Sequence, residues 1–114
     1  MDGPEGARRI TEAGRFTRPE PGRTHWLEHL RSAHLSVGTY SMAPGGPDDQ
    51  VPHTEDEVYV IATGRGRLVT SSGQIWVAPG HTVYVPAGEP HTFVDITEDF
   101  AAVVVFAPPE VEPS

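Results

Sequence analysis

Short apolar runs separated by glycine- and proline-rich breaks make up most of this chain. Apolar and polar residues alternate clearly over residues 34–43, so that every second side chain lies on the same face of an extended strand. Similar runs recur through the rest of the chain, at 57–63, 67–70, 74–77, 82–85, 91–95 and 101–107. Short strands with turn signals about every 8–12 residues predict an all-β sandwich or closed barrel.

The two ends of the chain differ from this body. Residues 1–33 begin with a stretch poor in large apolar side chains and are predicted to form a partly ordered N-terminal arm. Residues 108–114 contain three prolines and two glutamates and are predicted to be a flexible tail. The domain organisation predicted from the sequence is therefore an arm, a β-barrel over 34–107 and a tail.

One segment of the arm is ambiguous. The segment Thr24 to Arg31 has apolar residues at Trp26, Leu27 and Leu30. This spacing predicts one or two helical turns capped by Thr24, with a short strand as the alternative.

Composition excludes several functions. The 114 residues suffice for one domain, and the absence of cysteine leaves only nitrogen and oxygen ligands for a metal. The formal charge of −8 and the absence of lysine argue against nucleic-acid binding. No apolar stretch approaches the roughly 20 residues that span a bilayer, and the N-terminus lacks the apolar core of a secretion signal. We therefore expect a cytoplasmic protein that does not bind membranes.

Three residues suited to metal binding lie at the starts of predicted strands. His53 and Glu57 share the parity of one strand face, and His91 begins another strand together with Phe93. If these strands adjoin, the two imidazoles and the carboxylate can converge. A buried Glu57 would be costly without a cation, which favours the metal interpretation over three unrelated polar residues.

These segments resemble the two conserved motifs of the cupin superfamily. The later part of the first motif is a histidine, three or four residues, a glutamate, six residues and a glycine, matched here by His53, Glu57 and Gly64. The second motif is matched by Gly80, Pro86, Gly88 and His91. The resemblance implies a double-stranded β-helix, also called a jelly-roll or cupin barrel, with one divalent transition metal, such as Fe, Mn, Ni, Co or Zn, held by His53, Glu57 and His91.

The chain departs from the cupin pattern at two positions. Val51 stands where a further histidine is expected and cannot bind a metal. Gln50, one residue earlier, is a candidate fourth ligand, similar to the glutamine among the zinc ligands of phosphomannose isomerases. Asp95 replaces an asparagine that serves as a turn residue in cupins.

The resemblance implies a metal-dependent enzyme that acts on a small metabolite inside the barrel, as a dioxygenase, an isomerase or a lyase. Two alternatives stay open. One is a non-catalytic module that binds a small molecule. The other is a metal-free cupin similar to sugar epimerases, in which Tyr40 or Tyr59 would act with His53 as acid and base. We also expect a homodimer, because small cupins commonly pair and the arm is long enough to exchange between partners.

Overall fold

The computed structural model of the chain describes residues 6–48 and 52–111. The strands within these ranges are β1 (His25–Arg31), β2 (Ser36–Met42), β3 (Asp56–Thr63), β4 (Gly66–Thr70), β5 (Gly73–Val77), β6 (Thr82–Val85), β7 (His91–Val94) and β8 (Phe100–Ala107). The part of the chain so described contains no helix long and apolar enough to cross a membrane. The all-β prediction is confirmed.

The strands form two antiparallel sheets. The larger sheet has the order β1-β2-β8-β3-β6, and the smaller has the order β5-β4-β7. Non-sequential neighbours such as β2 and β8 are typical of a jelly roll, in which the chain crosses repeatedly from one sheet to the other. This is the barrel that the sequence predicts.

Alternate residues of the strands build the core between the sheets. On β3 the inward positions are Glu57, Tyr59 and Ile61, each almost completely buried, while Val60 between them is exposed. The larger apolar core residues include Met42, Leu68, Phe93, Phe100, Val104 and Phe106. One face of β3 therefore carries both core packing and polar chemistry.

The arm lies along the outer face of the larger sheet. The backbone N–H of Gly14 donates to Thr39 Oγ1 at 2.9 Å, and that of Thr17 donates to Ser41 Oγ at 3.1 Å. Both hydroxyls belong to β2 and are buried. The arm of this chain thus covers its own sheet; exchange of the arm between two copies stays a prediction.

The helix predicted from Thr24 is wrong, and the alternative of a short strand is confirmed. β1 pairs with β2, and the register shifts between Glu28 and Leu30. This bulge places Leu30 opposite Val37 and Leu27 opposite Thr39, on the same side of the sheet. A spacing of three between apolar residues, which mimics a helix, is here produced by one extra residue in a strand.

The segment after β8 is packed against the barrel at Glu110. The backbone N–H of Glu110 donates to Ser36 Oγ at 3.0 Å, and the Glu110 carbonyl accepts from Arg31 Nη2 at 2.7 Å. Glu110 is only 7% exposed. Glu110 is therefore anchored to the barrel, and the flexibility of residues 108–114 stays a prediction.

Candidate metal centre

The three predicted ligands are carried by both sheets. Glu57 belongs to β3 of the larger sheet, His91 is the first residue of β7 in the smaller sheet, and His53 lies just before β3. The site therefore sits between the sheets, at the end of the barrel where β3 and β7 begin.

The turn before β7 fixes the position of the His53 loop. The backbone N–H of Gly88 donates to the carbonyl of His53 at 2.7 Å, and the N–H of Ala87 donates to Asp56 Oδ1 at 2.9 Å. Gly88 has a φ of +79°, which an L side chain rarely adopts. The turn that includes Gly88 therefore holds the first ligand loop in place.

His53, Glu57 and His91 converge as predicted. One ligand atom from each lies within 4.8 Å of the others. Nδ1 of His53 is 3.3 Å from Glu57 Oε2, and Nε2 of His91 is 3.6 Å from Glu57 Oε1. Two atoms that bind one metal ion at about 2.0–2.2 Å in tetrahedral geometry are roughly 3.3–3.6 Å apart, so both contacts of Glu57 have the spacing of atoms that share an ion.

The contact between His91 and the Glu89 backbone turns Nε2 of the His91 ring toward the site. Its Nδ1 lies 2.9 Å from the carbonyl oxygen of Glu89, to which it can donate a hydrogen bond. A neutral imidazole that donates through Nδ1 has its lone pair on Nε2, which faces Glu57. The His91 side chain is fully buried, so this lone pair points into the site rather than into solvent.

His53 faces carboxylates on both sides. Its Nε2 lies 3.0 Å from Glu110 Oε2, whereas its buried Nδ1 has no hydrogen-bond partner among the described residues. The contact with the Glu57 carboxylate raises the pKa of His53, burial opposes this rise, and Glu110 adds to it. Burial raises the pKa of Glu110, and the neighbouring His53 opposes that shift.

The donor set fits a divalent transition metal. Buried polar atoms in proteins almost always have a hydrogen-bond partner, so it is unusual that His53 Nδ1, 3.3 Å from the buried Glu57 carboxylate, makes no hydrogen bond with a described residue. A metal ion would engage this nitrogen, the Glu57 carboxylate and the His91 lone pair together. Two imidazoles and one carboxylate with open positions form the set that binds non-haem Fe(II) and also accepts Mn, Ni, Co or Zn.

Tyr59, a predicted catalytic residue, lies within the same cluster. Its hydroxyl donates to Glu57 Oε1 at 2.7 Å and lies 3.0 Å from His91 Nε2. The Tyr59 ring packs edge-on against Phe93, with ring centroids 5.2 Å apart. The Phe106 ring lies 4.8 Å from the His53 ring, with the two planes tilted by 52°, so aromatic side chains pack against both Tyr59 and His53.

The other two predicted site residues have different outcomes. The hydroxyl of Tyr40 donates to Asp48 Oδ1 at 2.5 Å, and Asp48 Oδ2 accepts from the backbone N–H of Phe93 at 2.7 Å. Tyr40 therefore links β2 to β7 through Asp48, and its catalytic role stays a prediction. Gln50, the predicted fourth ligand, and Val51 lie outside the described residues.

Glu110 could not be identified as a site residue from the sequence. It lies 57 positions after His53, in a proline-rich tail, and no motif or periodicity joins the two. The available signal was weak: Glu110 is one of two glutamates in a short segment that directly follows the last strand.

Comparison with known proteins finds relatives in both sequence and fold. A family model described as the cupin domain matches residues 38–108. An uncharacterized protein of Streptomyces coelicolor is 45% identical over 85 residues, which cover 75% of this chain and 81% of that protein.

Solved structures with the same fold are more distant in sequence. The structure of TT1209 from Thermus thermophilus superposes with a TM-score of 0.72 at 23% identity, covering 90% of this chain and 97% of that one. The DMSP lyase DddQ from Ruegeria pomeroyi gives 0.71 at 21% identity, covering 81% of this chain and 50% of that one. KdgF from Halomonas sp. gives 0.70 at 17% identity, covering 82% and 86%. With its two motifs, its jelly-roll topology and a family match over most of its length, the chain belongs to the cupin family.

Proposed function

We propose that this protein is a metal-dependent enzyme that catalyses a lyase- or isomerase-type reaction on a small metabolite bound in the barrel. The observation that carries the proposal is the position of the Tyr59 hydroxyl, which contacts both Glu57 and His91. A group that exchanges protons is therefore held beside the residues that would bind the metal.

His53, Glu57 and His91 would hold the metal through Nδ1, the carboxylate and Nε2. Bound by these residues, a divalent ion would supply Lewis-acid chemistry toward a carbonyl or carboxylate oxygen of a substrate. This charge stabilisation makes it easier to remove a proton from the carbon next to the polarised group.

Tyr59 is the residue placed to move that proton. Its single hydroxyl proton lies near two acceptors, Glu57 Oε1 and His91 Nε2, and it can be donated fully to only one of them. A metal on His91 Nε2 would leave the Glu57 carboxylate as the acceptor of this proton, and a substrate bound beside the hydroxyl could then exchange a proton with Tyr59. General acid and base catalysis of this kind contributes about 10²–10⁴-fold to a rate.

The surroundings of Tyr59 also favour proton transfer. The residue is completely buried, and its ring is fixed against Phe93. Its hydroxyl is therefore held in one place, at little entropic cost when a substrate binds. One of the proteins with the same fold is described as a DMSP lyase, which supports lyase chemistry as a starting point for substrate tests.

Two measurements test the proposal. The first is the metal content of the purified protein compared with His91→Ala, with His34→Ala as a control because His34 is exposed. The proposal predicts about one metal ion per chain in the wild type and the control, and loss of metal from His91→Ala. Equal metal content in all three would contradict the ligand assignment.

The second measurement is substrate turnover. A panel of small carboxylic and 2-oxo acids is incubated in D₂O with metal-loaded protein, with and without oxygen, and deuterium incorporation and products are followed by NMR. We expect exchange or elimination that does not need oxygen and that falls at least about 100-fold in Tyr59→Phe. Tyr84→Phe makes the same chemical change on an exposed residue and should be fully active. Tight binding of a compound without exchange or product would instead indicate a binding module.

A further inference from the structure

The segment that follows β8 brings a carboxylate to the outer side of the metal site. Glu110 Oε2 lies 3.0 Å from Nε2 of His53, on the opposite edge of the imidazole from Glu57. Glu110 is not part of the convergent group of ligand atoms, which among the described residues comprises His53, Glu57 and His91. Glu110 instead contacts one of the predicted metal ligands, His53. The contact is with Nε2, the ring nitrogen on the side away from Glu57.

Several anchors hold this carboxylate in place. The backbone N–H of Glu110 donates to Ser36 Oγ at 3.0 Å, and its carbonyl accepts from Arg31 Nη2 at 2.7 Å. The next N–H, of Val111, donates to Glu55 Oε2 at 3.3 Å. These contacts tie the segment to β1, to β2 and to the loop before β3, so the position of Glu110 is set by the fold and not by chance contact at the surface.

The contact bears on which ring nitrogen of His53 carries the proton. A neutral imidazole carries one proton and one in-plane lone pair, on different nitrogens. A proton on Nε2 forms a hydrogen bond with the Glu110 carboxylate, whereas a lone pair there would face negative charge at 3.0 Å. On the other side of the ring, Nδ1 lies 3.3 Å from Glu57 Oε2 without hydrogen-bond geometry, so the shorter contact with Glu110 is the one that favours a proton on Nε2.

We infer that Glu110 is a positioning residue that fixes His53 in its Nε2-protonated form, so that Nδ1 is the nitrogen presented to a metal. Carboxylates that accept a hydrogen bond from a metal-binding histidine orient the ring and raise its basicity, and their loss lowers metal affinity by about 10–100-fold. A residue in the segment after β8, outside both cupin motifs, thus sets the orientation and the protonated nitrogen of the motif residue His53. The statement about metal affinity rests on the proposed function, but the statement about the His53 proton does not.

The direct test is two-dimensional NMR of protein with ¹⁵N-labelled histidine, which distinguishes the protonated, lone-pair and metal-bound nitrogens of each ring. In metal-free protein, at a pH where His53 is neutral, we expect the proton on Nε2. After addition of Zn²⁺ we expect the metal-bound signal at Nδ1 with Nε2 still protonated. A proton on Nδ1 in the metal-free protein, or Zn²⁺ on Nε2, would overturn the inference.

Variants give a second readout. Zn²⁺ affinity, measured by competition with a chelator, should fall about 10–100-fold in Glu110→Ala and by less in Glu110→Gln, whose carbonyl oxygen can still accept the hydrogen bond. Glu98→Ala removes an exposed carboxylate and should bind Zn²⁺ as the wild type does. Equal affinities in the Glu98 and Glu110 variants would refute the positioning role.

The experiment separates two kinds of failure. If the wild type binds no Zn²⁺, the proposed metal function fails, while the proton on Nε2 of metal-free His53 still supports the role of Glu110. If Zn²⁺ binds and the His53 proton is on Nδ1, the metal function stands and the inference about Glu110 is wrong. If Glu110→Ala does not fold, Glu110→Gln and the wild-type spectra decide the question.

Discussion

Replacing Glu57 by glutamine should have opposite effects on the metal-free and the metal-loaded protein. The Glu57 side chain is almost fully buried, accepts a hydrogen bond from Tyr59 through Oε1, and places Oε2 3.3 Å from the unpartnered Nδ1 of His53. A glutamine amide of the same shape keeps the oxygen that Tyr59 needs. Its NH₂ group can donate to Nδ1, which has no hydrogen bond with the described residues of the wild type.

The expected gain in stability of the metal-free variant follows from these contacts. At a pH above the raised pKa of His53, the imidazole is neutral and gives the buried carboxylate no compensating charge. Removing that charge and adding a hydrogen bond should stabilise metal-free Glu57→Gln by about 1–3 kcal/mol. For a domain of this size, this corresponds to a rise in Tm of about 4–12 °C.

Metal binding should reverse the order of stability, so that the wild type becomes more stable than Glu57→Gln. A ligand present at about 1,000 times its Kd stabilises the folded state by about 4 kcal/mol, which would raise the wild-type Tm by roughly 16 °C. Glu57→Gln lacks the anionic ligand and should show no shift. The assay is thermal unfolding with a chelator and with Zn²⁺ or Mn²⁺, with Glu98→Gln as the control. A metal-free variant less stable than the wild type, or equal metal-induced shifts in both, would refute the reasoning.

Three further predictions concern the barrel and its site. Metal affinity should fall about tenfold per pH unit below the raised pKa of His53 and level off above it, because the protonated ring has no lone pair for a metal. Calorimetric titration at several pH values checks this, and an affinity that does not change with pH would exclude His53 as a ligand. Gly64→Ala should cost at least about 2–3 kcal/mol in urea unfolding, since φ is +88° and the new Cβ would lie 2.5 Å from the Asp99 carbonyl; an unchanged midpoint would contradict this. Leu68→Ala, at a fully buried position, should lose about 2–5 kcal/mol in the same assay, and a loss below about 1 kcal/mol would show that the core is not packed there.

The barrel and the three ligands could be predicted because their signals are local. Alternation along each strand gives the face of every residue, and the spacing of His53 and Glu57 places both at the start of one strand. The position of His91 follows from the glycine- and proline-containing turn before it. Each of these inferences needs only a few neighbouring residues.

What could not be predicted depends on contacts between distant segments. The bulge in β1 is decided by pairing with β2, and without it the spacing of Leu27 and Leu30 is that of a helix. Glu110 reaches His53 because β8 ends beside the start of β3, where Ala107 pairs with Asp56, and the next residues lie near the His53 loop. The hydrogen bond from Tyr40 likewise ends on Asp48, which belongs to a proline-rich loop whose path the sequence does not define.

The central claim is that His53, Glu57 and His91 bind one metal ion together. The most direct measurement is an anomalous-difference map from crystals of the protein loaded with Zn²⁺ or Mn²⁺. The account predicts one strong peak at about 2.0–2.2 Å from His53 Nδ1, a Glu57 carboxylate oxygen and His91 Nε2. A map with no peak among these three side chains, in crystals where the metal is bound elsewhere or not at all, would contradict it.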